Sequence, residues 1–313
     1  MKKKILVVGG AGYVGGYLVD LLKINNDYHV RVFDKLIYED DYLKDVDFVY
    51  GDIRDKDLLN SNLLWADVVI WMAALVGDGA CEIDHSLTYQ INTESVNFLC
   101  KNFKKEIIFF STCSVYGVNE NIIDESAATN PLSTYAKTKY EAEKFIKENN
   151  GMIFRLGTLF GIGDKFSRIR LDLVLNILTL KAVLEKEINV FGGDQYRPLL
   201  HVKDAAKAIE LSLNKYTPGL YNLHFENFTI RDIAKEILKI LPNTKINYID
   251  KKFQDLRNYR VDGKLVRDIL NFNPLYNLKY GINEIKFLIE NSRIKNPSNI
   301  RYTNVEYLKN NEI

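Results

Sequence analysis

Short apolar runs rich in Val, Ile and Phe recur along the first half of the chain, each followed by a segment of helical period. "KILVV", "HVRVF", "DFVY", "DVVIWMA", "EIIFF" and "MIFRL" read as buried strands, and the segments from Tyr13, Asp55, Ser86 and Thr134 read as the helices between them. Such alternation predicts a parallel sheet covered by helices on both faces, an α/β fold of the Rossmann-type doubly wound class. The rhythm changes near Gly161. From there to Phe191 the chain offers one long helical pattern, "RLDLVLNILTLKAVLEKE", before "FGGDQYRPLLHVKDAAKAIELSL" begins another strand-and-helix unit. The expected division is a first domain over 1–160, with 197–225 returning to pack on it. A smaller mixed α/β domain then takes 161–196 and 226–313. The last stretch, "NSRIKNPSNIRYTNVEYLKNNEI", is polar and Asn-rich and reads as an arm or a loosely held terminus.

Composition narrows the class. The 313 residues are 47% hydrophobic, enough to bury one large core or two modest ones. Lys+Arg 42 against Asp+Glu 41 leaves a net charge of +1, so no global field recruits nucleic acid or an anionic membrane. Cys81, Cys100 and Cys113 form no CxxC pair, which argues for a reducing compartment and against a disulfide framework or structural zinc. The apolar run in "MKKKILVVGG" is too short for a signal peptide's core, and no stretch approaches the roughly 20 apolar residues of a membrane span. The expected location is the cytoplasm.

Five glycines fall in eight positions of "VVGGAGYVGGYLVDLL". Gly9, Gly12 and Gly15 follow a strand and open a helix, where a tight turn and close backbone approach to a pyrophosphate require the absence of a Cβ. The phosphates then rest on the helix's first N–H groups. Asp34 ends the next strand, placed to accept hydrogen bonds from the adenosine ribose and to repel a 2′-phosphate. NAD is therefore expected over NADP, with Lys35 next door softening that preference.

A second motif lies downstream. In "STYAKTKYEAEKF", Tyr135 and Lys139 stand four apart, on one face of a helix. A tyrosine acting as base near neutrality needs its proton affinity lowered by roughly 4 kcal/mol, which an ammonium about 4 Å away at an effective dielectric of about 20 supplies. The strand-end cluster "FFSTCSVYG" adds hydroxyls from Ser111 and Thr112.

With these residues the chain resembles the extended short-chain dehydrogenase/reductases, in particular the nucleotide-sugar epimerases and dehydratases similar to UDP-galactose 4-epimerase. "GGAGYVGGYL", "GDIRD", "MAALVG", "INTESVNFL", "STCSVYG", "YAKTK", "FRLGTLFG", "GGDQYRPLLHVKDAA" and "DLRNYRVDGKLVRDILNFNP" fall in that family's order. The resemblance implies Tyr135 as general base or acid, Lys139 tuning it and holding the nicotinamide ribose, and Thr112 bonding the reacting hydroxyl, with Ser111 the adjacent alternative. It further implies that Asp52 and Ile53 border the adenine and that Ala73 and Ala74 line the cofactor channel. Tyr13, Val14 and Asn92 complete the cofactor set. Arg197 and Arg257 are expected at the substrate's nucleotide diphosphate. Relatives commonly form homodimers through two helices, here those starting near Ser86 and Thr134.

Departures from the family pattern narrow the chemistry. Where sugar 4,6-dehydratases carry Asp-Glu after the Thr, this chain has Cys113 and Ser114, which argues against dehydration. The C3/C5 epimerases put cysteine immediately before the aliphatic-Tyr pair, where Ser114 stands. Thr158 replaces the usual Asn at a sugar or diphosphate contact. "RIRLDLVLN" resembles a subgroup that includes heptose C4 oxidases, making Arg168, Arg170 and Asn176 candidate substrate contacts. The alternative is a plain core helix with its charges in solvent. Cys81, Glu82, Asp84 and His85 are discounted as a metal site, and His201 is expected to pack and bond locally. The expected activity is oxidation of a nucleotide-diphosphate sugar, most simply a 4-epimerase. A C4 dehydrogenase releasing a 4-keto hexose or heptose is the alternative, and a non-catalytic nucleotide-binding protein the second.

Overall fold

The computed structural model describes residues 1–164, 166–249 and 257–311. Part of the "DLRNYRVDGKLVRDILNFNP" motif, residues 255 and 256, lies outside them. Seven strands form one sheet in the order Gly219–Leu223, Met152–Leu156, Glu106–Thr112, Val68–Trp71, Lys3–Val8, Tyr28–Asp34, Asp47–Tyr50. Every neighbouring pair is parallel.

Side-chain alternation builds the layers on either face. Ile5 and Val7 pack with Leu18, Val19 and Leu22 of the Gly15–Ile24 helix and with Ala205 and Ile209 of the Val202–Asn214 helix. Leu6 and Val8 pack on the other face with Leu59, Leu99, Ala142 and Ile146. Both faces are therefore apolar, which explains why the strands read as unbroken hydrophobic runs.

Beyond Gly157 the chain forms smaller sheets. Thr158–Phe160, Tyr196–His201 and Glu226–Thr229 make one of three strands, and Glu187–Phe191 pairs with Lys245–Ile249. The helices Val174–Leu184, Ile230–Ile240 and Leu278–Glu290 share a separate core that includes Leu175, Ile233 and Ile282. Strand Tyr196–His201 belongs to a smaller sheet, whereas the helix and strand after it, through Leu223, join the large one.

Two expectations change. The helical pattern from Arg170 to Glu187 yields a helix only over Val174–Leu184: Leu173 is extended, and Lys186, at φ +55°, turns the chain into a strand. The polar terminus is not a loose arm. Its helix Asn304–Asn310 buries Leu308 beside Leu75, Ala80 and Cys81, and Tyr302 accepts a hydrogen bond from the Leu171 amide through its carbonyl. Few apolar positions suffice because Asn304 Nδ2 donates to the Val76 carbonyl and Arg301 pairs with Glu39, tying the segment to the rest of the chain. No helix among the described residues is long and apolar enough to cross a membrane.

Candidate active site

Strand order reverses between Lys3–Val8 and Val68–Trp71, which opens a crevice at the carboxyl ends of the sheet. A cleft of about 800 Å³ lies there. On one wall, Gly9 holds φ +83°, and a Cβ on it would sit 2.5 Å from the Ala73 nitrogen. Gly15 is equally constrained, since its Cβ would meet the Gly10 carbonyl oxygen at 2.6 Å. Gly12, Tyr13, Val14, Asp34, Lys35, Asp52, Ile53, Ala73 and Ala74 also line the cleft.

Asp34 accepts from the Ala11 amide at 2.9 Å, tying the glycine turn to the end of the neighbouring strand. Burial pushes its carboxyl up. Lys35 is turned to Asp52 at 2.9 Å, with Arg54 at 2.6 Å. Burial of Asp52 opposes its ionisation, yet the hydrogen bonds from Arg54 and Lys35 hold it well below the usual carboxylate range. These glycine contacts, the carboxylate at the strand end and the helix N-terminus fit a dinucleotide.

The catalytic candidates converge on the same cleft. Ser133 caps the Thr134–Glu148 helix by accepting from the Ala136 amide, and its hydroxyl donates to Asp78 at 2.7 Å. Tyr135 therefore emerges in a rigid first turn, with Lys139 one turn later. Thr112 and Tyr135 both line the cleft, with Thr112 Oγ1 donating to Ser114 Oγ at 3.1 Å, while Ser111 donates to Glu143 at 2.5 Å. Ser111 is thus committed to the buried Glu143, whereas the Thr112 hydroxyl stays beside Ser114 on the cleft wall. Desolvation dominates the electrostatics: it pushes Tyr135 above the ordinary tyrosine range and brings Lys139 down to about 7, against the attraction of Glu143. This differs from the expected lysine-driven lowering of Tyr135, because Lys139 is itself buried, its Nζ 4.0 Å from the Phe109 ring.

Beneath Lys139, Glu143 also accepts from Arg155 at 2.9 and 2.6 Å, both side chains fully buried. The sequence signal for Glu143 is its position four residues after Lys139.

Arg197 and Arg257 line the far side with Thr158. Arg257 pairs with Asp78 at 3.0 Å, and Arg197 donates to the Arg257 carbonyl at 2.5 Å. Arg168 and Arg170 line the cleft and are buried, not solvated. Arg170 is paired with Asp172 at 2.9 Å. Asn176 and Asn92 do not line it. Asn176 accepts from the Gly161 amide and donates to the Arg170 carbonyl, while Asn92, on a π-turn over Gln90–Glu94, bonds the Leu75 amide and carbonyl. Both amides are committed to loop backbone, so they position walls and do not face a ligand.

His201 is buried and bonds Glu284 at 2.8 Å. Cys81 is buried, and His85 pairs with Glu82. No group of three or more metal-ligating side chains occurs among the described residues. Tyr38, Asn304 and Val305 of the cleft wall were missed in the sequence. Val305 and Leu308, three apart, were the available signal for the last helix.

Residues 5–224 match the model of the NAD dependent epimerase/dehydratase family. A UDP-glucose 4-epimerase of Halalkalibacterium halodurans is 30% identical over 74% of this chain and 78% of its own. A dTDP-D-glucose 4,6-dehydratase of Dictyostelium discoideum is 29% identical over 76% of this chain and 62% of its own. The structure of UDP-glucuronic acid 4-epimerase from Bacillus cereus, in complex with UDP-glucuronic acid and NAD, superposes with a TM-score of 0.80 at 23% identity, covering 92% of this chain and 99% of that one. With the glycine turn, the strand-end carboxylate and the Thr-Tyr-Lys cluster in one crevice, the chain belongs to the NAD-dependent epimerase/dehydratase family and is an extended short-chain dehydrogenase/reductase enzyme.

Proposed function

We propose that the protein is an NAD-dependent nucleotide-diphosphate-sugar 4-epimerase. The observation that carries this reading is the convergence of Thr112, Tyr135 and Lys139 between the glycine-rich wall and the Arg197–Arg257 wall of one cleft. With the positive charge of bound NAD offsetting the desolvation of its hydroxyl, Tyr135 would act as the phenolate that takes the proton of the sugar's C4 hydroxyl while Thr112 aligns that hydroxyl. NAD, held by Gly9, Gly12, Asp34 and Lys139, supplies the hydride acceptor. The arginines hold the diphosphate, and a keto sugar that turns over before reduction on its other face leaves as the epimer. A dehydratase reading is disfavoured because Cys113 is fully buried, donates to the Arg155 carbonyl and has its thiol pushed up by burial. It has no route to protonate a leaving hydroxyl in the cleft.

The reading includes a homodimer packed through the helices near Ser86 and Thr134, with turnover in the cytoplasm. Sedimentation showing only monomer at working concentration rejects the dimer. For the chemistry, Tyr135→Phe is expected to abolish product formation while leaving NAD binding within about twofold. Unchanged turnover refutes the role given to Tyr135.

A further inference from the structure

The C-terminal segment forms part of the cleft wall, and one arginine there is incompletely used. Arg168 is 7% exposed. Its guanidinium lies 3.2 Å from the Tyr38 ring centre, and one terminal nitrogen donates to Asn304 Oδ1 at 2.6 Å. Its Nε is buried and has no hydrogen-bond partner among the described residues. Arginine keeps its proton in a protein, so this N–H is a buried donor with no acceptor among the described residues, and the guanidinium's hydrogen-bonding capacity is only partly used by the protein.

The groups around it identify the side of the cleft. Arg168 acts electrostatically on Asp34, Tyr38 and Glu39, all at or just beyond the end of strand Tyr28–Asp34. Asp34 in turn bonds Ala11 in the glycine turn. The Arg197–Arg257 pair sits elsewhere, with Asp78, Ser114 and Tyr196.

Asn304 is 2% exposed and its amide is spent on both ends: Oδ1 accepts from Arg168, and Nδ2 donates to the Val76 carbonyl at 2.6 Å. Its backbone N–H reaches Asp172 at 2.9 Å. Two further contacts anchor the same segment, Arg301 to Glu39 and Tyr307 against Tyr38. Asn304 is therefore a fixed prop under Arg168.

We propose that Arg168 is a cofactor-binding residue, held by Asn304 so that the cleft-lining edge of its guanidinium meets the anionic diphosphate–ribose stretch of the dinucleotide, and that it is not a substrate contact. This rests on the cleft taking NAD. A charge-assisted bond to phosphate is stronger than a neutral one, and a planar, stacked guanidinium loses little freedom in making it.

The test is calorimetric titration of the full chain with NAD, with ADP-ribose and with UDP, for the wild type, Arg168→Gln and Asn304→Ala. The expected result is at least a tenfold loss for both NAD and ADP-ribose in Arg168→Gln, with UDP affinity within twofold. Asn304→Ala is expected to lose about threefold for the same two ligands, since the charge stays but its prop is gone. Wild-type NAD affinity in either variant overturns the proposal, as does a loss confined to UDP. If thermal unfolding shows Arg168→Gln to be misfolded, Asn304→Ala decides on the same criteria. A wild-type chain that binds no NAD would sink the cofactor reading itself, a separate outcome.

Discussion

Replacing Lys139 by Met is expected to stabilise the protein while inactivating it, and the gain should fade as pH rises. Lys139 is 2% exposed, and burial brings its ammonium down to about 7 from an ordinary value of 10.5. In the unfolded chain it titrates near 10.4. Between these values the unfolded state binds more protons than the folded one, so stability rises with pH across that window. Below about pH 7 the full penalty of burying the charge is present, and above about pH 10.5 it is gone. Linkage gives a penalty of about 4 kcal/mol at pH 7 and about 2 kcal/mol at pH 9. Methionine fills the same channel over Phe109 without a charge, so Lys139→Met should gain up to those amounts relative to wild type. Urea unfolding of both proteins at the two pH values, without added NAD, reads the difference directly, and other groups that titrate in both proteins cancel. A variant less stable than wild type, or a gain equal at both pH values, would refute the claim that desolvation governs this lysine.

Other substitutions probe the walls. Gly9→Ala would force a left-handed φ of +83° on a residue with a Cβ and press that Cβ to 2.5 Å from the Ala73 nitrogen; we expect a stability loss of about 1–3 kcal/mol and no measurable NAD binding, checked by thermal unfolding and titration. Arg155→Leu leaves Glu143 buried with Ser111 as its remaining hydrogen-bond partner and should cost about 3–5 kcal/mol. Adding Glu143→Leu should recover much of that loss, and a double variant whose loss equals the sum of the single ones would contradict a coupled pair.

How much of this was legible in the sequence varies with the physics. The central strands stood out because both sheet faces are buried there, so runs such as Ile5 to Val8 are apolar at every position, whereas the edge strand Asp47–Tyr50 is only partly covered. The shared cleft of Tyr135 and Lys139 followed from helical spacing alone. Their ionisation did not, because spacing reports a neighbour's charge but not the loss of water around both groups. Asn92 and Asn176 sat in motif-like surroundings, yet backbone amides and carbonyls claim their side chains, and such pairings depend on loop paths that no local pattern encodes. The C-terminal segment is opaque to sequence for a related reason: Asn304 and Arg301 look solvated in a polar string, and only the fold reveals that their partners are Val76, Arg168 and Glu39.

Epimerisation of a nucleotide-linked sugar at C4 is the chemistry proposed for this cleft. It is tested most directly by incubating the protein and NAD with a panel of UDP-, GDP-, CDP- and dTDP-sugars and analysing the products by chromatography and mass spectrometry. One sugar is expected to be converted to a product of unchanged mass and new retention time. Loss of two hydrogens, the signature of a released 4-keto sugar, or loss of water would contradict it.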